Sequence, residues 1–66
     1  MHVVINGEAQ TLTAGLTIAD LISQLGLNQR RIAVELNREI VARERYGERA
    51  LRDGDQIEIV HFVGGG

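Results

Sequence analysis

The 66-residue chain contains no cysteine, no proline, no lysine and no tryptophan, and only one phenylalanine and one tyrosine. Without cysteine it forms no disulfide and no thiolate metal site. Its two histidines, His2 and His61, stand at opposite ends of the sequence, so no His/Cys cluster is available either. No apolar run approaches the roughly 18 residues that a membrane helix requires. The opening Met1-His2-Val3-Val4-Ile5-Asn6 lacks the basic and long apolar regions of a secretory signal, which predicts a cytoplasmic protein. The seven cations are all arginines, none of them before residue 30, against nine acids for a net charge of −2. Most are interleaved with acids (Arg38-Glu39, Arg43-Glu44-Arg45, Glu48-Arg49, Arg52-Asp53). That pattern predicts a solvated, paired surface and argues against a phosphate-binding stripe, hence against a nucleic-acid binder.

What remains is aliphatic. Hydrophobic residues make up 44% of the chain, and twenty of them are Ile, Leu or Val. A single domain of this size buries only about 60% of its unfolded surface, so regular hydrogen bonding and a small aliphatic core must hold it.

The order of elements follows from period and punctuation. Residues 2–6 alternate with a β-branched bias and predict a strand. Asn6-Gly7 is a strong hairpin signal, because the favoured two-residue turn needs φ > 0 at both positions. A second strand is expected over 8–13, with Leu12 its one strong apolar anchor. Thr17-Ile18-Ala19-Asp20 has the form of a capping box with Asp in place of Glu. Ile18, Leu21, Ile22 and Leu25 then fall on one helical face, and Gly26 stops the helix, so 17–25 is a short helix that needs a sheet to cover. Strands are expected over 32–36 and 39–42, joined at Asn37. Residues 44–50 read as a helical turn or loop, with Tyr46 and Leu51 as its apolar anchors. Asp53-Gly54-Asp55 is a tight turn. The last strand spans 56–63. This β-β-α-β-β-β order, with one single-faced helix, predicts a two-layer α+β domain: the β-grasp, or ubiquitin-like, arrangement, a mixed sheet of four to five strands packed on one helix, with the first and last strands central. Residues 1–63 form the domain and 64–66 a flexible glycine tail.

The last strand makes a sharper statement. Glu58 shares a face with Val60 and Phe62, and a buried charge is costly, so this face should look to solvent while Ile57 and Ile59 pack under the helix. His61 has the inward parity but stands at the strand end, at the margin of the core. Val60 and Phe62 would then be an exposed apolar pair, a candidate partner surface. After them come Gly64, Gly65 and Gly66, which have no side chain to bury and pass where any Cβ would clash. The α-carboxylate of Gly66 is ionised at neutral pH, and adenylation by ATP would make it an acyl donor. The bland alternative for the glycines is an inert end. Ser23 lies inside the helix without a preceding Asp partner, which argues against a phosphopantetheine carrier.

Several segments together are similar to the sulfur carrier proteins of thiamine biosynthesis, β-grasp proteins that end in a diglycine. They are Val3-Val4-Ile5-Asn6-Gly7, Thr17-Ile18-Ala19-Asp20-Leu21, Ile32-Ala33-Val34-Glu35-Leu36-Asn37 and, most specifically, Leu51-Arg52-Asp53-Gly54-Asp55-Gln56-Ile57-Glu58-Ile59 running on to Gly66. The resemblance implies that an E1-like adenylyltransferase activates Gly66 with Mg-ATP. It implies that a cysteine desulfurase supplies the sulfur that makes a Gly66 thiocarboxylate, and that thiazole synthase accepts it. Gly65 and Gly66 map onto the family diglycine, and Gly64 is an additional glycine. A carrier without cysteine can hold sulfur only at its terminal carboxylate. The chain would thus be a co-substrate, a monomer when free, binding no cofactor or metal itself. Two other readings stay open: the small subunit of molybdopterin synthase, and a ubiquitin-like modifier of other proteins.

Overall fold

The computed structural model describes residues 1–62, as five strands and one helix. Strand β1 (His2–Ile5) turns into β2 (Glu8–Thr11), helix α1 (Ile18–Gln24) follows, then β3 (Ile32–Leu36), β4 (Glu39–Val41) and β5 (Gln56–His61). The sheet order is β2-β1-β5-β3-β4. β5 is central, parallel to β1 and antiparallel to β3, and the two outer pairs are antiparallel hairpins. This is the α+β, ubiquitin-like arrangement that the element order predicts, with β5 in the centre and β1 beside it.

Both hairpins turn through left-handed residues. Asn6 and Gly7 take φ of 49° and 82°, as the Asn-Gly signal requires. In the second hairpin Asn37 and Arg38 take φ of 53° and 72°, so an arginine occupies a position that glycine would fill without strain. β1 and β2 stop at Ile5 and Thr11, one and two residues short of the sequence reading, and β4 stops at Val41. Every residue of β2 is exposed, and only Leu12, just beyond it, packs against the core.

The capping box forms as read: the Asp20 N–H donates to Thr17 Oγ1 at 3.1 Å, and the Thr17 N–H donates to Asp20 Oδ2 at 2.9 Å. The next two orphan amides of α1 are met from the 43–50 loop, Ile18 N–H by the Arg49 carbonyl and Ala19 N–H by the Tyr46 carbonyl. Tyr46 and Leu51, the predicted anchors of that loop, are both buried.

One core assignment is overturned. Leu25 is 43% exposed, although it falls seven residues after Ile18. α1 ends at Gln24, so Leu25 is the C-cap and no longer on the helical face. Gly26, at φ 72°, makes a Schellman turn in which Gly26 N–H donates to Ser23 O and Leu27 N–H to Ile22 O. That turn brings Leu27 against the core in place of Leu25.

Ile18, Leu21 and Ile22 join Val3, Ile5, Ile32, Val34, Leu36, Ile57 and Ile59 in one buried cluster between helix and sheet. Fully burying each such side chain contributes about 1.5–3 kcal/mol, which makes this cluster the main source of stability in so small a domain. The inward parity of β5 is therefore that of Ile57 and Ile59, as the sequence requires. His61 shares it, lying opposite Ile32, but it is exposed because the strand ends there.

Candidate functional site at the end of the central strand

The site grows from β5, the central strand, paired on both sides. Its entry is held by two asparagines. Asn6 Oδ1 accepts from Ile59 N–H at 2.7 Å, and Asn37 Oδ1 accepts from Gln56 N–H at 2.9 Å. Asn37 Nδ2 donates to Asp55 Oδ1 at 3.0 Å, and Asp55 Oδ2 accepts from Arg52 N–H at 2.7 Å. Asp55, 6% exposed, thus has both carboxylate oxygens engaged. The Asp53-Gly54-Asp55 turn forms as read, with Gly54 at φ 87°, and it is also a junction, since Asp53 Oδ1 accepts from the His2 backbone N–H.

At its other end β5 emerges onto the open face of the sheet. Val60 lies opposite Ala33 and is 54% exposed; Phe62, just past the strand, is 55% exposed. The Phe62 N–H donates to the Arg31 carbonyl at 2.8 Å, which carries the β3–β5 ladder one step beyond the strand. Val60 and Phe62 are therefore placed on solvent-accessible surface, as the parity argument predicts. Glu58 lies directly opposite Glu35, and Ile40, on the far side of Glu35, is also exposed. The open face is thus mixed: apolar at both margins, with two facing carboxylates between.

A shallow groove borders Phe62, lined by Asn28, Arg30 and Arg31. Its wall is the 3₁₀ turn Gln29–Arg31, which the sequence reading does not resolve. Asn28 caps that turn, its Oδ1 accepting from Arg30 N–H at 2.9 Å. Arg43 braces it from outside, with Nε donating to Gln29 O at 3.1 Å.

The interleaved arginines do not pair as expected. Among the described residues the one ion pair is Arg45–Glu48, at 3.9 Å and exposed. Neighbours such as Arg38 and Glu39 sit in turn and strand backbone, where adjacent side chains diverge. Only the three-residue spacing within the turn after Arg43 brings opposite charges together.

His2 and His61 stand at opposite ends of two parallel strands and do not converge. Among the described residues no group of three or more His, Asp or Glu side chains is placed to hold a metal ion. No helix among them is long and apolar enough to cross a membrane. The expected strand end at Val63 and the tail residues Gly64, Gly65 and Gly66 lie outside the described residues.

Comparison with known proteins places this geometry in context. The model of the ThiS family matches residues 3–66. The chain is 35% identical over 66 residues to the sulfur carrier protein ThiS of Escherichia coli (strain K12), covering 100% of both. It is 47% identical over 66 residues to a thiazole synthase of Paramagnetospirillum magneticum, and spans only 20% of that protein's length. The crystal structure of the thiamine biosynthesis protein (ThiS) from Geobacter metallireducens superposes with a TM-score of 0.86 at 35% identity, covering all of both chains.

Proposed function

Because this chain belongs to the ThiS family, we propose that it is a cytoplasmic sulfur carrier of thiamine biosynthesis, with the α-carboxyl of Gly66 as the carrying group. A carboxylate oxygen of Gly66 attacks the α-phosphorus of Mg-ATP in the active site of an E1-like adenylyltransferase, and pyrophosphate leaves. The terminal sulfur of a persulfide that originates in a cysteine desulfurase attacks the acyl-adenylate and displaces AMP, and a thiol then cleaves the resulting acyl disulfide, leaving the thiocarboxylate and a thiol-derived disulfide. Thiazole synthase consumes the thiocarboxylate sulfur and returns the carboxylate. ATP serves the activating partner; this chain is the co-substrate of both enzymes.

The observation that carries the reading is similarity along all 66 residues to a protein of the same length named as a sulfur carrier. Two features of the chain support it. It has no cysteine, so no side chain can carry sulfur as a persulfide. And Gly64 and Gly65 precede the reacting residue, so a narrow partner channel meets no Cβ on the way to Gly66. The alignment with part of a thiazole synthase supports that enzyme as a partner, since there a closely similar region and a synthase share one chain. Val60 and Phe62, exposed four to six residues before Gly66, supply the apolar contact at the channel mouth.

Intact-mass measurement after incubation with the activating enzyme, Mg-ATP and a sulfur source tests the reading. The expected gain is one oxygen-to-sulfur exchange, lost on deletion of Gly66. An unchanged mass would overturn it, as would thiazole formation that survives the deletion. Isopeptide-linked adducts in place of a free thiocarboxylate would point to the modifier reading.

A further inference from the structure

We infer that Arg30 and Arg31 form, with Phe62, a cationic collar that docks against carboxylate side chains on the activating partner, around the mouth through which Gly66 enters. This rests on the carrier reading and adds the chemistry of the surface that receives it.

The argument begins with reach. Gly66 stands four positions after Phe62, so the reacting carboxyl is at most about 14 Å from Phe62 even in a fully extended chain. A carboxyl that reacts inside a partner therefore brings Phe62 onto the partner's surface. What shares a groove with Phe62 comes with it, and that groove is lined by Asn28, Arg30 and Arg31. The backbone bond from Phe62 N–H to the Arg31 carbonyl ties the two sides of the groove together. Arg43 fixes the turn that carries both arginines, donating to the carbonyls of Gln29 and Arg30 at 3.1 and 3.5 Å.

Charge then selects the occupant. The remaining arginines each have an acid next to them in sequence, whereas Arg30-Arg31 is flanked by Gln29 and Ile32. Both side chains are exposed, and neither lies within ion-pair distance of a carboxylate among the described residues. Two guanidinium groups pressed into an interface are costly unless opposite charge meets them there. Arginine is suited to that role, since its planar fork accommodates a carboxylate through two parallel hydrogen bonds. The apolar face of Phe62 beside them fits a partner strip in which acids border an apolar patch. The collar also offsets the charge of the approaching carboxylate, which by itself would be repelled by an acidic rim.

The test is association kinetics between the full chain and its activating enzyme without ATP, at low and high ionic strength. Arg30→Gln/Arg31→Gln is expected to slow association about tenfold at low salt, with the difference shrinking as salt screens it. Its melting temperature and its thiocarboxylate yield at saturating carrier should match the parent. Arg30→Lys/Arg31→Lys keeps the charge and should retain most of the rate. Arg38→Gln, in the turn at the opposite end of the sheet, should behave as the parent. The inference is overturned if the double glutamine variant associates as fast as the parent. It is equally overturned if Arg38→Gln slows as much, which would make net charge the cause, or if the effect needs bound ATP, which would make the nucleotide phosphates the acceptor. Failure of the parent itself to gain sulfur would sink the carrier reading instead, so the two failures are distinguishable.

Discussion

Asn6 grips both backbone groups of Ile59, a residue 53 positions along the chain: its Oδ1 accepts from Ile59 N–H at 2.7 Å and its Nδ2 donates to Ile59 O at 3.3 Å. The reason lies in the sheet. β1 pairs with β5 at only two positions, Val4 with Gln56 and Ile5 with Ile57, before the chain turns away. The Asn6 backbone N–H reaches Ile57 O, and its carboxamide then stands in for the strand residues that β1 does not have. A turn residue thus completes the ladder of the strand that leads to the functional end.

Asn6→Gly separates the two roles of this residue, since glycine keeps the φ of 49° and removes the carboxamide. The expected loss is about 1–3 kcal/mol, the cost of leaving a partly buried backbone pair unmet. Urea unfolding should show a lower midpoint with an unchanged slope. An unchanged midpoint would mean that water replaces the side chain at no cost.

The Schellman turn predicts opposite outcomes for two leucines two residues apart. Leu25→Gln should change stability by less than about 0.5 kcal/mol, because the side chain is already largely in water. Leu27→Ala should cost about 1–2 kcal/mol, part of the full burial value, because Leu27 is partly buried against the core. Thermal melts of the two variants decide the point, and the periodicity argument that placed Leu25 in the core would be restored if the order were reversed.

Thr17→Ala removes the hydroxyl that accepts from Asp20 N–H, and the expected cost is about 1 kcal/mol. Asp20→Ala removes the reciprocal bond to Thr17 N–H, and the double variant should cost less than the sum of the two single variants, because the two bonds form one unit. A double-mutant cycle measured by denaturant unfolding reads the coupling directly; strict additivity would show that each bond acts alone.

These cases also show what the sequence could reveal. The capping box was legible because its members are three residues apart and the chemistry is local. β3 was legible to the residue, since Ile32, Val34 and Leu36 alternate without interruption. Leu25 misled because periodicity does not mark where a helix ends to within one residue. The Asn6–Ile59 and Asn37–Asp55 bonds were hidden, since nothing in a turn signal says which distant strand the side chain will meet. The groove was hidden for the same reason: Arg31 and Phe62 are 31 positions apart, and only antiparallel pairing of β3 with β5 joins them. The outward face of β5 was legible because one charge, Glu58, fixed its parity.

That parity yields the last prediction. Val60 and Phe62 are each more than half exposed, so truncating them removes little buried surface from the free protein. Phe62→Ala should shift stability by less than about 1 kcal/mol. In a complex the same ring would be covered, and aromatic anchors near the centre of an interface typically cost about 2 kcal/mol or more on truncation. The expected result is therefore at least about a tenfold weaker Kd for the activating enzyme, with an unchanged melting temperature. Val60→Ala should weaken binding less, having fewer atoms to bury, and Ile40→Ala, on the far margin of the sheet, least of all. Titration calorimetry and thermal melting on the three variants separate the possibilities. A large fall in melting temperature for Phe62→Ala would show that the ring supports the fold, and a gradient that runs from Ile40 would place the partner on the opposite margin.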